Sequence, residues 1–131
     1  MTHTHPLKIL IAEDDRVSAL YICKILENSG HQTQLAKNGD VAFRILENEF
    51  FDLVLMDIQM PEVDGLEATR KIRNSKDAFS TIPIIAVSAN QDPPASEFCR
   101  EVGMNHFIPK PFSMPLFEQA LWQIRNENVF G

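Results

Sequence analysis

Cysteine and positive charge are both scarce in this chain, and long apolar runs are absent. Two cysteines in 131 residues, Cys23 and Cys99, cannot build the disulfide framework on which small secreted domains rely. Each sits among apolar neighbours in a predicted helix, as a reduced packing thiol. No CxxC or Cys/His spacing offers a zinc site. Twelve lysines and arginines against eighteen acids leave a net charge of −6, the wrong sign for a surface that binds nucleic acid or an anionic membrane. Apolar runs such as Ile82 to Val87 fall far short of the ~20 residues that span a bilayer, and no signal-peptide pattern opens the sequence. A soluble, cytoplasmic domain is expected. Met1 to Pro6 reads as a tail, in which His3 and His5 have no role, and residues 7–128 as one domain. No repeat, low-complexity tract or linker interrupts it. A chain of this size buries roughly two-thirds of its unfolded surface and needs no staple.

What is present is an alternation of short apolar runs and helical patterns, the signature of an α/β fold with a parallel sheet. The predicted strands are Leu7 to Ala12, Gln32 to Ala36, Asp52 to Met56, Ile82 to Val87 and His106 to Pro109. The third and fourth are apolar at nearly every position and belong in the middle, covered on both faces. The predicted helices are Arg16 to Ser29, Gly39 to Asn48, Leu66 to Asn74, Ala95 to Val102 and Met114 to Glu127. Gly30 and Gly103 stand where helix ends want a left-handed residue. Five such units close most simply as a doubly wound, flavodoxin-like three-layer sandwich with strand order 2-1-3-4-5. Pro109 then falls on an edge strand, where a missing N–H is tolerated.

Ligands in such sheets bind at the carboxyl ends of the strands. There the sequence places Glu13, Asp14 and Asp15 after strand one, Asp57 after strand three, Ser88 after strand four and Lys110 after strand five. Singly these are an N-cap, a turn aspartate, a loop hydroxyl and a solvated lysine. Together they converge three carboxylates on one crevice, which calls for a compensating cation. An all-oxygen site without histidine or cysteine suits Mg2+ or Mn2+. Phosphoryl transfer needs a nucleophile, a cation and donors for the remaining oxygens. Asp57 is a candidate covalent nucleophile, Lys110 a point charge for the phosphoryl group, and Ser88 a hydroxyl donor to it.

The segments Ile9 to Asp15, Asp52 to Pro61 with Asp64-Gly65, Val87-Ser88-Ala89 and Phe107 to Phe112 together resemble the response-regulator receiver family of two-component signalling. The resemblance spans essentially the whole chain. It implies Asp57 as phospho-acceptor, Asp14 and Asp15 as the acidic metal pair, and the Gln59 carbonyl as the remaining protein ligand. It further implies Ser88 and Phe107 as switch residues, Lys110 as the phosphoryl-binding lysine, and Gln59 and Asn90 as tuners of acyl-phosphate lifetime. Glu13 is expected to be peripheral. The Lys110-Pro111 bond resembles the family's cis peptide. Pro109 and Phe107 depart from the commonest pattern: the first puts the pairing of the last strand residues in question, and the second lacks a tyrosine's hydroxyl.

The implied function is Mg-dependent transfer of a phosphoryl group from a kinase phosphohistidine to Asp57. The partner is a histidine kinase or phosphotransfer protein. Such a receiver is no enzyme in the usual sense, although self-phosphorylation from small donors and slow self-dephosphorylation are expected. The run Met56 to Arg70 resembles receivers attached to hybrid histidine kinases, whose parent could be membrane-anchored, and no output domain is read here. A haloacid-dehalogenase-type phosphatase would carry its nucleophile after the first strand in a DxD pattern. A flavodoxin-like FMN module would not place three acids where a phosphate is cradled. On helix five a rotation of roughly 100° per residue gathers Met114, Leu116, Phe117, Ala120, Leu121 and Ile124 on one face. Trp122 is left outside it, a candidate anchor for a homodimer or output partner through the last strand and helix five.

Overall fold

A computed structural model describes residues 6–58, 65–89 and 99–130, the side chains of 127–130 excepted. Five strands, β1 (Lys8–Ala12), β2 (Gln32–Ala36), β3 (Leu53–Asp57), β4 (Ile84–Ser88) and β5 (His106–Pro109), form one sheet of order β2-β1-β3-β4-β5. Every pairing is parallel. The helices are α1 (Arg16–Asn28), α2 (Gly39–Asn48) and α3 (Gly65–Asn74). They are followed by a helical turn at 99–102 (α4) and α5 (Met114–Phe130), and a short 3-10 helix, Ala78–Thr81, precedes β4. Of the expected fourth helix, residues 95–98 lie outside the described residues.

The local chemistry explains where elements begin and end. Asp15 caps α1 by accepting the Ser18 N–H at 2.9 Å. α1 closes through Gly30 at φ +95°, with the Gly30 and His31 N–H groups donating to the Glu27 and Leu26 carbonyls. Gly103, at φ +109°, closes α4 in the same way, its N–H donating to Arg100 and that of Met104 to Cys99. β4 starts at Ile84, two residues later than expected. Pro83 has no N–H to give the ladder, and the Ile82 N–H is already taken by the Phe79 carbonyl.

Period-two alternation divides the core between the two faces of the sheet. Leu10, Ala12, Val54, Met56, Ile84 and Ala86 pack toward α2 and α3 residues such as Ala42, Leu46, Ala68 and Ile72. Ile9, Ile11, Leu53, Leu55, Ile85, Val87 and Ile108 pack toward α1 and α5 with Ile22, Leu26 and Phe117. β3 and β4 are buried at every position, as strands covered on both faces must be. Pro109 does not interrupt β5: Ser88 is still in register with it, and the Lys110 N–H donates to the Ser88 carbonyl at 2.8 Å. The missing N–H of Pro109 points to the open edge. Lys110-Pro111 is cis. Cys23 and Cys99 are free thiols, and burial pushes both up from the ordinary value.

A buried histidine gives this fold a pH dependence. His31 is 5% exposed, stands edge-on to Phe117, and accepts the Leu7 N–H on Nδ1 at 3.0 Å. Burial lowers its pKa, helped by Arg125 and opposed by Glu118. Between the folded and unfolded pKa values the unfolded chain binds the extra proton, so the stability from neutral His31 is complete above the ordinary value of about 6.5. It is lost as pH falls from there through the depressed folded value. We expect the urea midpoint to drop more between pH 7 and pH 5 in the native chain than in His31→Gln. Parallel curves for the two proteins would refute the assignment.

Candidate functional site

Continuing the alternation past the strand ends assembles a polar site. Glu13 follows Ile9 and Ile11, Asp57 follows Leu53 and Leu55, and Lys110 follows Ile108, so all three side chains start on the α1/α5 side of the sheet. They meet there. Lys110 Nζ lies 2.8 Å from Glu13 Oε1 and 3.7 Å from Asp57 Oδ2. Carboxylate oxygens of Glu13, Asp14 and Asp57 all lie within 4.8 Å of one another. Glu13 and Asp57 are each 4% exposed, whereas Asp14 is open to solvent. Burial would lower the Lys110 pKa, but the hydrogen bond it donates to Glu13 and the charges of Asp57, Glu13 and Asp15 outweigh it and hold Lys110 above its ordinary value.

Two residues lie otherwise than the sequence reading expects. Asp15 is not in the carboxylate group; its side chain is exposed and occupied with capping α1. Glu13 is not peripheral but buried, with Oε1 on Lys110 and Oε2 accepting the Asp15 N–H at 3.2 Å. Ser88, fully buried, ends β4 beside the Asp57–Val87 pair. Phe107 is half-buried against the α2/α3-side core. Gln59 and Asn90 lie outside the described residues. Gly65 has a role that the motif alone did not explain. A Cβ there would overlap the Asp57 carbonyl oxygen and crowd Met56 and Ile58, so only glycine lets α3 start against the backbone of Asp57.

The family model for the response regulator receiver domain matches residues 9–121. This chain is a response-regulator receiver domain. The receiver is 39% identical over 107 residues to the CAI-1 autoinducer sensor kinase/phosphatase CqsS of Vibrio cholerae, covering 82% of this chain and 16% of that protein. It is 35% identical to the polar-differentiation response regulator DivK of Brucella anthropi, covering 88% of this chain and 94% of DivK. Among solved structures, the receiver domain of the sensor histidine kinase PA1611 of Pseudomonas aeruginosa, with a magnesium ion coordinated in its active site cleft, superimposes with TM-score 0.80. That match has 34% identity and covers 92% of this chain and 99% of that one. The receiver therefore spans a small part of the curated kinases that it matches, from 16% of CqsS to 5% of the peroxide stress-activated histidine kinase mak3 of Schizosaccharomyces pombe, and nearly all of DivK. Among the described residues no helix is long and apolar enough to cross a membrane.

Proposed function

We propose that Asp57 accepts the phosphoryl group, and that Glu13, Asp14 and Asp57 hold a Mg2+ or Mn2+ ion. The observation that carries this reading is the clustering of three carboxylates, two of them buried, around a single lysine at the carboxyl ends of the strands. The donor set is all oxygen and compact, which fits a small hard cation. When bound, the ion neutralises the carboxylates and the charge that develops on the phosphoryl oxygens. The Gln59 carbonyl, outside the described residues, is proposed to complete the protein ligands.

The protein's own part is positioning. An Asp57 oxygen forms the new O–P bond while the P–N bond of a phosphohistidine breaks, its electron pair staying with the imidazole. Lys110, fixed by Glu13 and the backbone of Ser88, supplies positive charge within reach of the transferred group. Ser88 donates its hydroxyl to a phosphoryl oxygen, and Phe107 repacks as Ser88 moves. Gln59 and Asn90 control the water that hydrolyses the acyl phosphate. The donor is a histidine kinase or phosphotransfer protein, with small phosphodonors as slow substitutes. The exposed apolar residues of α1 next to the cleft, Val17, Leu20 and Tyr21, suit the donor protein. Trp122, 64% exposed on α5, suits a second copy or an output partner that reads the phosphorylated state.

Incubation with Mg2+ and acetyl phosphate should add one phosphoryl group to the intact protein by mass spectrometry, and chelation of the metal should prevent it. Labelling that is indifferent to chelation would overturn the metal-assisted reading. A magnesium titration tests the ligand set. Asp14→Asn and Glu13→Gln should each weaken binding by about tenfold or more, ~1.4 kcal/mol. Asp15→Ala should leave affinity within about twofold while lowering stability by ~1 kcal/mol through the lost cap. A larger loss of affinity in Asp15→Ala than in Glu13→Gln would restore the acidic pair expected from the motif.

A further inference from the structure

The amino ends of the strands carry a second concavity, remote from Asp57. Where α2 ends and the chain turns into β3, a groove of about 570 Å³ opens toward the 3-10 helix that precedes β4. Its floor is apolar: Phe51 and Ile82 are buried and Phe79 is half-buried. Phe50 stands on its rim, 75% exposed. Single exposed apolar residues are common, but a phenylalanine at the lip of an apolar groove extends a surface that another molecule can cover.

The side chains that line the groove carry charge of one sign. Glu47, Glu49, Asp52 and Asp77 line it, and among the described residues no lysine or arginine does. Lys8 offsets part of this, with Nζ 3.2 Å from Glu49 Oε1 and 4.7 Å from the centroid of the Phe51 ring, and its backbone N–H on Asp52 Oδ2 at 2.8 Å; the charge left for a ligand is therefore that of Glu47 and Asp77. Glu47 and Asp77 are exposed, and no salt bridge engages them among the described residues. An apolar floor, an aromatic lip and carboxylates at the edge complement one kind of ligand: a protein segment with a large apolar side chain flanked by arginine or lysine. A guanidinium can lie against the Phe50 ring and pair with Glu47 or Asp77.

We propose that this basal groove docks a basic, apolar-anchored segment of a partner protein. Five residues of β3 at ~3.3 Å each separate the groove from Asp57 by roughly 15 Å, and the two open at opposite ends of the sheet. Docking is therefore independent of phosphorylation and leaves the acceptor cleft free, as a constitutive tether requires.

The test uses the full 131-residue chain and a fluorescein-labelled peptide of alternating arginine and leucine, with amide chemical shifts followed during titration. Shifts should cluster at residues 47–52 and 77–82. Phe50→Ser and Asp77→Lys should each weaken binding by about fivefold, and the double variant by about twentyfold or more. Each replaced side chain is exposed, and an unchanged unfolding midpoint will verify the fold. Asp57→Asn should bind the peptide as tightly as the parent chain, and a glutamate-for-arginine peptide should bind about tenfold more weakly. The proposal fails if the shifts fall on Glu13 and Asp14, if the double variant binds undiminished, or if the acidic peptide binds equally well.

Discussion

Asp57→Asn should abolish phosphorylation by acetyl phosphate, a loss of about a hundredfold or more in labelling, while the protein remains folded. The side chains are nearly isosteric, but an amide oxygen is a poor nucleophile for phosphorus, and among the described residues no neighbouring carboxylate is placed to replace it. Asp14 is open to solvent rather than held at the end of β3, and Glu13 is engaged by Lys110 at 2.8 Å. The fold should tolerate the change because it removes one of three mutually repelling carboxylates and leaves the Lys110–Glu13 pair in place. Two measurements decide the matter. Intact-protein mass spectrometry should show an acid-stable, base-labile phosphoryl group on the parent chain and none on the variant, and urea unfolding should find the variant no less stable. Undiminished labelling of Asp57→Asn would sink the assignment.

Much of this site was legible in the sequence because strand ends and sheet order are enough to bring its members together. Apolar runs at Leu53 to Met56 and Ile84 to Val87 could only be central strands, and the residues that follow them had to face the same crevice. The placement of Asp15 shows where that reasoning stops. The motif offered three consecutive acids, and choosing two of them needs the local geometry: the strand ends at Ala12, the alternation of Ile9 and Ile11 carries Glu13 inward, and Asp15 turns out to cap a helix. The period-two pattern was available in the sequence and, extended past Ala12, would have nominated Glu13. The partition of the core onto two faces could likewise be read, whereas the groove at the base could not. It depends on how the turn after α2 approaches the 3-10 helix, residues about thirty apart in sequence with no shared pattern. Nor could the state of Lys110-Pro111 be reached except by resemblance, since both isomers are open to an X-Pro bond.

A second large effect comes from a residue that no motif marks. Arg73 ends α3 as a half-buried guanidinium and bonds to three acceptors: Gly103 O through Nε, Ser80 O through Nη1 and Asn105 Oδ1 through Nη2, each at 2.9 Å. Asn105 Oδ1 also accepts the Ile84 N–H at 2.8 Å, and the Asn105 N–H donates to the Ile84 carbonyl. One side chain thus ties α3, the 3-10 helix, the end of α4 and the starts of β4 and β5. Burial lowers the Arg73 pKa, yet an arginine stays charged under any ordinary condition, so its bonds are charge-assisted and stronger than neutral ones. Gly103 belongs to the same arrangement, since a Cβ there would press on the Arg73 side chain. Arg73→Met keeps much of the aliphatic packing and removes all three bonds, leaving partly buried carbonyls without their donor. We expect a loss of about 3 kcal/mol, which for a domain of this size lowers Tm by roughly 10 °C. Arg73→Lys, able to serve one acceptor at a time, should recover only a minor part. Because these bonds lie at the amino ends of β4 and β5, away from Asp57, the folded Arg73→Met protein should still be labelled by acetyl phosphate at a rate close to that of the parent chain. A loss below about 0.5 kcal/mol, the range of ordinary surface changes, would show that water replaces the guanidinium at no cost. Loss of labelling in protein shown to be folded would mean instead that Arg73 governs the acceptor through β5.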